Sequence, residues 1–126
     1  MNRYIILYKA PTSVRERLAR ATPEEAQQGV QLWIDWQQRV GDALLYPGAP
    51  IGQAMAVTSA GAAAAHSAVV GISILQAVDM EQVLDMIKDH HHLQWADGCE
   101  IEVLEEMSIP ELGPAGPSPK STPEER

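Results

Sequence analysis

The chain has 126 residues, 45% of them hydrophobic, and a formal net charge of −8. That length suits one domain with its own core, which buries roughly two thirds of the unfolded surface without metal or disulfide staples. An acidic balance with no basic patch argues against nucleic acid, and against an anionic membrane surface, as partners.

The longest weakly apolar stretch, residues 61–77, is interrupted by His66, Ser67, Ser73 and Gln76. A membrane helix needs about 20 predominantly apolar residues, so none is expected. The apolar run near the N-terminus is too short for a signal-peptide core. Cys99 is the only cysteine, which precludes an intrachain disulfide and suits a reducing, cytoplasmic setting. Phe is absent, so Trp33, Trp36 and Trp95 must supply much of the large aromatic volume.

Residues 3–9, R-Y-I-I-L-Y-K, are rich in β-branched and aromatic side chains and are closed by Pro11. They predict a first strand, with Tyr4, Ile6 and Tyr8 on one face and Ile5 and Leu7 on the other. Both faces are apolar, so the strand is expected to be central and covered on both sides. Residues 12–21 are charged and Arg-rich, and read as a loop or a short helix.

Thr22, Pro23 and Glu25 form a capping-box start, and Glu24 and Glu25 suit the positive end of a helix dipole. A helix is predicted from there to about Leu44, with Ala26, Val30, Trp33, Val40 and Leu44, and Trp36 beside them, as its apolar stripe. Residues 46–52, Y-P-G-A-P-I-G, hold turn formers and predict an irregular connection. Residues 53–59 and 68–77 then read as two strands joined by a hairpin over 60–67. In the second of these, Val70, Ile72 and Ile74 share one face; Val69, Gly71, Ser73 and Leu75 share the smaller and more polar one.

Asp79 and Gln82 start a second helix with Met80, Val83, Leu84 and Ile87 at helical spacing, ending near residues 89–92. Residues 100–107 are the last predicted strand, with Ile101 and Val103 on one face and Glu100, Glu102, Leu104 and Glu106 on the other. Residues 113–126 are Pro, Gly, Ser and charge, and predict a disordered tail behind a domain spanning 1–112.

The fold expected from this order is α+β, a β-α-β-β-α-β chain forming a four-stranded antiparallel sheet. Two helices cover only one face of such a sheet. The other face is expected to carry Ser73, Leu75, Glu102, Leu104 and part of the first strand, a mixture too apolar for water and too polar for a closed core. A second copy packed sheet to sheet would cover it and enclose a partly polar cavity, so a homodimer through the open sheet face is expected.

Several segments together resemble one family. They are the opening R-Y-I-I-L-Y, the T-P-E-E start with W-I-D-W-Q-Q-R-V-G-D-A-L, the turn G-A-P-I-G, the stretch V-G-I-S-I-L-Q-A, and the ending H-H-H-L-Q-W-A-D-G-C-E-I-E-V-L-E-E-M. In order and spacing they are similar to the YCII-related, DGPF-like domain family over roughly residues 1–112. The resemblance implies a ferredoxin-like fold, a dimeric α/β barrel and a bacterial intracellular protein. Some members carry a His-Asp pair proposed as catalytic, with the His in the first helix. Here the helix from Thr22 holds Asp35 and Asp42 but no His, and His66-Ser67-Ala68-Val69 stands where the DGPF tetrapeptide would fall.

The run Asp89-His90-His91-His92 is the most unusual local feature. Histidines near a helix C-terminus are stabilised by its dipole, and that alone can account for one or two. In an extended loop His90 and His92 would point the same way, to hold an anionic ligand, act as acid or base near neutral pH, or bind a transition metal. Glu102 lies on a strand face of alternating acids. It is either solvated or, in the dimer cavity, desolvated with a raised pKa as a general base. Tyr8, Ser73 and Trp33 are candidate ligand-binding side chains, with core packing as the alternative. Cys99 reads as a buried structural thiol.

No phosphate loop, serine elbow or CxxC is present, so no cofactor and no metal are assigned. The expected function is a small-molecule enzyme or binding protein using the cavity between the two sheets of a homodimer, with His90, His92 and Glu102 as candidate catalytic residues. The alternative is a non-enzymatic dimeric module that binds a protein partner.

Overall fold

The structure is a computed structural model and describes residues 1–109. The expected domain boundary at 112 and the expected tail over 113–126 lie outside the described residues. Strand β1 (Asn2–Lys9) is followed by helices α1 (Thr12–Ala19) and α2 (Pro23–Val40), then by a 3-10 turn, Gly41–Ala43. Next come β2 (Leu44–Pro50), β3 (Met55–Thr58), β4 (Gly61–Ala64) and β5 (Val69–Ala77). Helix α3 (Met80–Ile87), a second 3-10 turn (His91–Gln94) and β6 (Glu100–Glu105) complete the order.

The fold is α+β. Its main sheet has the order β2-β5-β1-β6, antiparallel throughout. This is compatible with a ferredoxin-like arrangement. The expected strand over 53–59 is not part of it. Residues 55–58 pair with 61–64 in a separate two-stranded hairpin. The fourth strand of the main sheet is Leu44–Pro50, which overlaps the segment 46–52 predicted to be irregular and begins at the predicted end of the preceding helix. Pro47 and Pro50 are tolerated because β2 is an edge strand, paired only with β5.

Strand register decides which residues share a face. Tyr8 stands opposite Gly71, Ile6 opposite Ser73 and Tyr4 opposite Leu75, while Val103 and Ile101 lie opposite Ile6 and Tyr8. This face packs against Trp36 of α2 and Val83 and Ile87 of α3, forming the core. Ser73 and Leu75 are therefore fully buried under the helices, not on the open face where the sequence placed them. A small polar residue is accommodated there because the Tyr8 hydroxyl bonds to it.

The other face carries Ile5 and Leu7 opposite Ile74 and Ile72, with Leu104 opposite Ile5 and Tyr46 opposite Ile74. Its four central side chains are half-buried, and Leu104 and Tyr46 are exposed. Among the described residues, then, β1 is central but fully covered on one side only.

The start of α2 is the capping box read from sequence. The Glu25 N–H donates to Thr22 Oγ1 at 3.1 Å, and the Thr22 N–H donates to Glu25 Oε1 at 2.9 Å. Only the second half of α2 reaches the core, through Trp33, Trp36 and Val40. Ala26 and Val30, predicted to belong to the buried stripe, are exposed. The first turns of α2 therefore depend on their cap more than on packing. Thr22→Ala is expected to remove about 1 kcal/mol of local helix stability, seen as about fivefold faster amide exchange over residues 24–28 and little change in global unfolding. In α3, Val83 and Ile87 are buried as predicted, whereas Met80 and Leu84 are exposed.

Candidate functional site

The run after α3 is placed by backbone hydrogen bonds. The His90 N–H donates to the Ile87 carbonyl at 2.9 Å, ending the helix. His90 then caps the next turn: its Nδ1 accepts from the His92 N–H at 3.0 Å. A residue used this way folds its ring back toward the domain, and His90 is completely buried. The segment is thus a capped 3-10 turn at the helix end, not an extended loop that would point His90 and His92 the same way.

The His90 ring sits in an aromatic enclosure. Trp36 lies 4.6 Å away between centroids, and Tyr8 and Trp33 each lie 5.0 Å away. His91 stacks on His90 at 4.2 Å. His92, also buried, donates from Nε2 to the Lys9 carbonyl at 2.8 Å and packs on the Tyr8 ring. Trp36 is itself fixed, because its indole N–H donates to the Met86 carbonyl at 3.2 Å. β1, α2 and the turn after α3 therefore meet at this point.

A second polar link crosses the covered face. Ser73 Oγ donates to the Pro47 carbonyl at 3.4 Å. That leaves Tyr8 to donate to Ser73 Oγ, at 2.8 Å. Burial raises the Tyr8 pKa above its ordinary value, opposed only in part by the Ser73 hydrogen bond.

His90 and His91 titrate low. Burial, then the charges of His91, His92 and Arg39, push His90 down to about 3. Burial, His92 and Arg39 lower His91 as well. At neutral pH both rings are uncharged. Because Nδ1 of His90 accepts a backbone hydrogen bond, its proton is on Nε2. Among the described residues that Nε2 is buried with no hydrogen-bond partner, and so is Nε2 of His91. A buried, unpaired polar atom is uncommon and calls for a physical reason.

Of the residues singled out by sequence, Tyr8, Ser73, Trp33, His90 and His92 lie on or at the end of the covered face. Glu102 does not join them. It stands opposite Leu7 on the open face, its side chain 46% exposed, paired with Lys9 Nζ at 3.3 Å. The expectation of a desolvated general base sets Glu102 in a dimer cavity; in the single chain its carboxylate is half-exposed beside the Lys9 ammonium. Lys9 also pairs with Glu100 at 3.5 Å, and its pKa is raised by these carboxylates, Glu102 first. The Cys99 thiol is half-buried, and burial pushes its pKa up, which opposes a nucleophilic role.

Sequence reasoning did not single out His91 or Arg39. The signal for His91 was present in the run itself, since successive residues entering a tight turn can stack their rings. Arg39 carried no signal. It lines a cleft of about 380 Å³ between the end of α2 and α3, with Val40, Gln82, Asp85, Met86 and Asp89. Its charge acts on both His90 and His91, so the cleft adjoins the enclosure. Among the described residues no three His, Cys, Asp or Glu side chains gather to hold a metal ion, and no helix is long and apolar enough to cross a membrane.

No protein-family model matches the chain, and no curated protein matches it.

Proposed function

We propose that the chain is a YCII-related, ferredoxin-like protein that works as a cytoplasmic bacterial homodimer and binds or converts a small molecule. The observation carrying the ligand half is the pair of buried, unpartnered imidazole nitrogens on His90 and His91, stacked inside an aromatic wall. A site with an Nε2–H donor fixed in place, neutral at pH 7, is complementary to a hydrogen-bond acceptor on a planar or apolar molecule, a carbonyl or carboxylate above all. Trp33 and His91, the half-buried members, form the rim such a ligand would displace. His90 serves here as a donor and not as a base, since its lone pair is engaged by the His92 N–H.

The dimer half rests on the open sheet face. Ile5, Leu7, Ile72 and Ile74 at its centre give a surface that two copies can bury by packing sheet to sheet, as in a dimeric α/β barrel. The same face also carries Glu102 and Lys9, so a space between two such sheets would be apolar at its centre and charged toward β6. The unpartnered imidazole nitrogens favour a ligand site within each protomer, on the helix side of the sheet.

A thermal-shift screen of the full chain against a metabolite library tests this reading. At least one acceptor-bearing compound is expected to raise the unfolding temperature of the wild type by several degrees, and to lose that effect on His90→Phe. If no compound stabilises the wild type, or if the shift survives in His90→Phe, the site is elsewhere.

A further inference from the structure

We propose that the β3–β4 hairpin is an arm that docks on a second copy of this chain. The proposal rests on the homodimer reading above and adds a second, separate contact to it.

Among the described residues the hairpin packs on little but itself. Every residue of both strands is exposed, and its pairing is internal, Met55 with Ala64 through Thr58 with Gly61. A lone two-stranded hairpin is marginal in water. Alternation places Met55, Val57, Ala62 and Ala64 on one face and Ala56, Ala63 and Thr58 on the other. The first face is wholly apolar, with Met55 52% and Val57 77% exposed. Among the described residues nothing pairs with either outer edge, and neither strand carries the Lys, Pro or inward charge that usually blunts such an edge.

Charge identifies the occupant. The chain carries a net charge of −8, so two copies repel across most of their surface. Between Asp42 and Asp79, however, there is no Asp, Glu, Lys or Arg. That segment contains β2, the hairpin and β5, and so also Tyr46, Ile72 and Ile74 of the open sheet face. The arm and that part of the open face form one stretch of chain on which two like-charged copies can approach without bringing formal charges together. A strongly basic partner would instead be met by acidic side chains, and the arm has none. A two-fold dimer can therefore bury the Met55–Val57 face of each arm against the other protomer.

The test is the concentration dependence of mass, by sedimentation equilibrium or light scattering, for the full chain and single variants. Circular dichroism confirms that each variant is folded. The wild type is expected to be dimeric. Val57→Glu and Val57→Lys are both expected to weaken dimerisation by at least about tenfold, since either charge would be buried in the contact. Ala56→Glu, on the opposite face of the arm, is expected to keep wild-type affinity.

Leu104→Glu, exposed on the open sheet face, separates the two contacts. If it dissociates the dimer while both Val57 variants match the wild type, the arm proposal is overturned and the sheet interface stands. If the Val57 variants dissociate and Leu104→Glu does not, the arm stands and the sheet interface falls. A wild type that stays monomeric at every concentration overturns both and leaves the arm to a different protein. Equal loss in Ala56→Glu also overturns the assignment of the docking face.

Discussion

Stability of the wild-type protein is expected to fall by about 2 kcal/mol between pH 8 and pH 5 through His90 alone, and this component is expected to vanish in His90→Phe. In the folded chain burial pushes His90 down to about 3, so it remains neutral throughout that range. In the unfolded chain the same ring takes up a proton near its ordinary value of about 6.5. Between those two values the unfolded state binds more protons. Its free energy drops as the pH falls, and the folded state loses stability relative to it. The contribution is fully present above about 6.5, and below that it is lost at close to 1.4 kcal/mol per pH unit until the folded ring itself protonates. His91 is lowered too and adds a loss of the same sign. The comparison with His90→Phe removes that background.

His90→Phe is the right variant because it keeps the ring and the aromatic contacts with Trp36, Trp33 and Tyr8. It removes two nitrogens with opposite effects. Loss of Nδ1 leaves the His92 N–H unpaired, which costs about 1–3 kcal/mol when buried. Loss of Nε2 removes a buried donor that has no partner, which offsets part of that cost. At pH 8 the variant is expected to be less stable by about 1 kcal/mol, and at pH 5 about as stable as the wild type or more so. Urea unfolding at several pH values measures both quantities. Parallel pH curves for the two proteins would mean that His90 already protonates near neutrality in the folded state, so that burial does not hold it neutral.

The core strands and helix starts are legible in the sequence because local and global preferences agree there. The alternation of Tyr4, Ile6 and Tyr8 with Ile5 and Leu7, the Thr22–Glu25 box and the spacing of Val83 and Ile87 each point to the observed element. Strand β2 was hidden by its own residues. Pro47, Gly48 and Pro50 are turn formers by composition, and only the edge position of the strand makes them compatible with a ladder on one side. Residues 53–59 carry a better strand pattern, which is spent on the hairpin. The faces were misassigned for a related reason. In β5 the small, partly polar set Gly71, Ser73, Leu75 and Ala77 is the buried one, because bulky Tyr8, Tyr4 and Trp36 fill the space above it. Periodicity fixes which residues share a face; volume complementarity with other elements decides which face is inside. Once Ser73 is moved, Glu102 necessarily parts from it. The enclosure of His90 depends on the capped turn, a tertiary arrangement that the run of three histidines does not disclose.

Gly48→Ala is expected to destabilise the protein by about 3 kcal/mol or more and to disconnect the polar link behind the candidate site. Gly48 has φ of 115°, a conformation that a side chain makes costly by roughly 1–2 kcal/mol. A Cβ there would also collide with the Ile72 carbonyl oxygen and come within 3.0 Å of Ser73 Oγ. Relief requires the β2 edge to move off β5, because the first of these atoms is backbone, and such overpacking adds typically 1–3 kcal/mol. The same movement withdraws the Pro47 carbonyl from Ser73, and with it the orientation that makes Ser73 the acceptor for Tyr8. Equilibrium unfolding gives the first effect. The second is read from the phenol of Tyr8, whose ultraviolet signature is expected to shift as its hydroxyl loses a fixed acceptor, with Tyr8→Phe in each background isolating it from Tyr4 and Tyr46. A Gly48→Ala protein with unchanged stability would show that the β2 edge does not close on β5 at this position. The site would then lack the support that the turn-like composition of residues 46–52 provides.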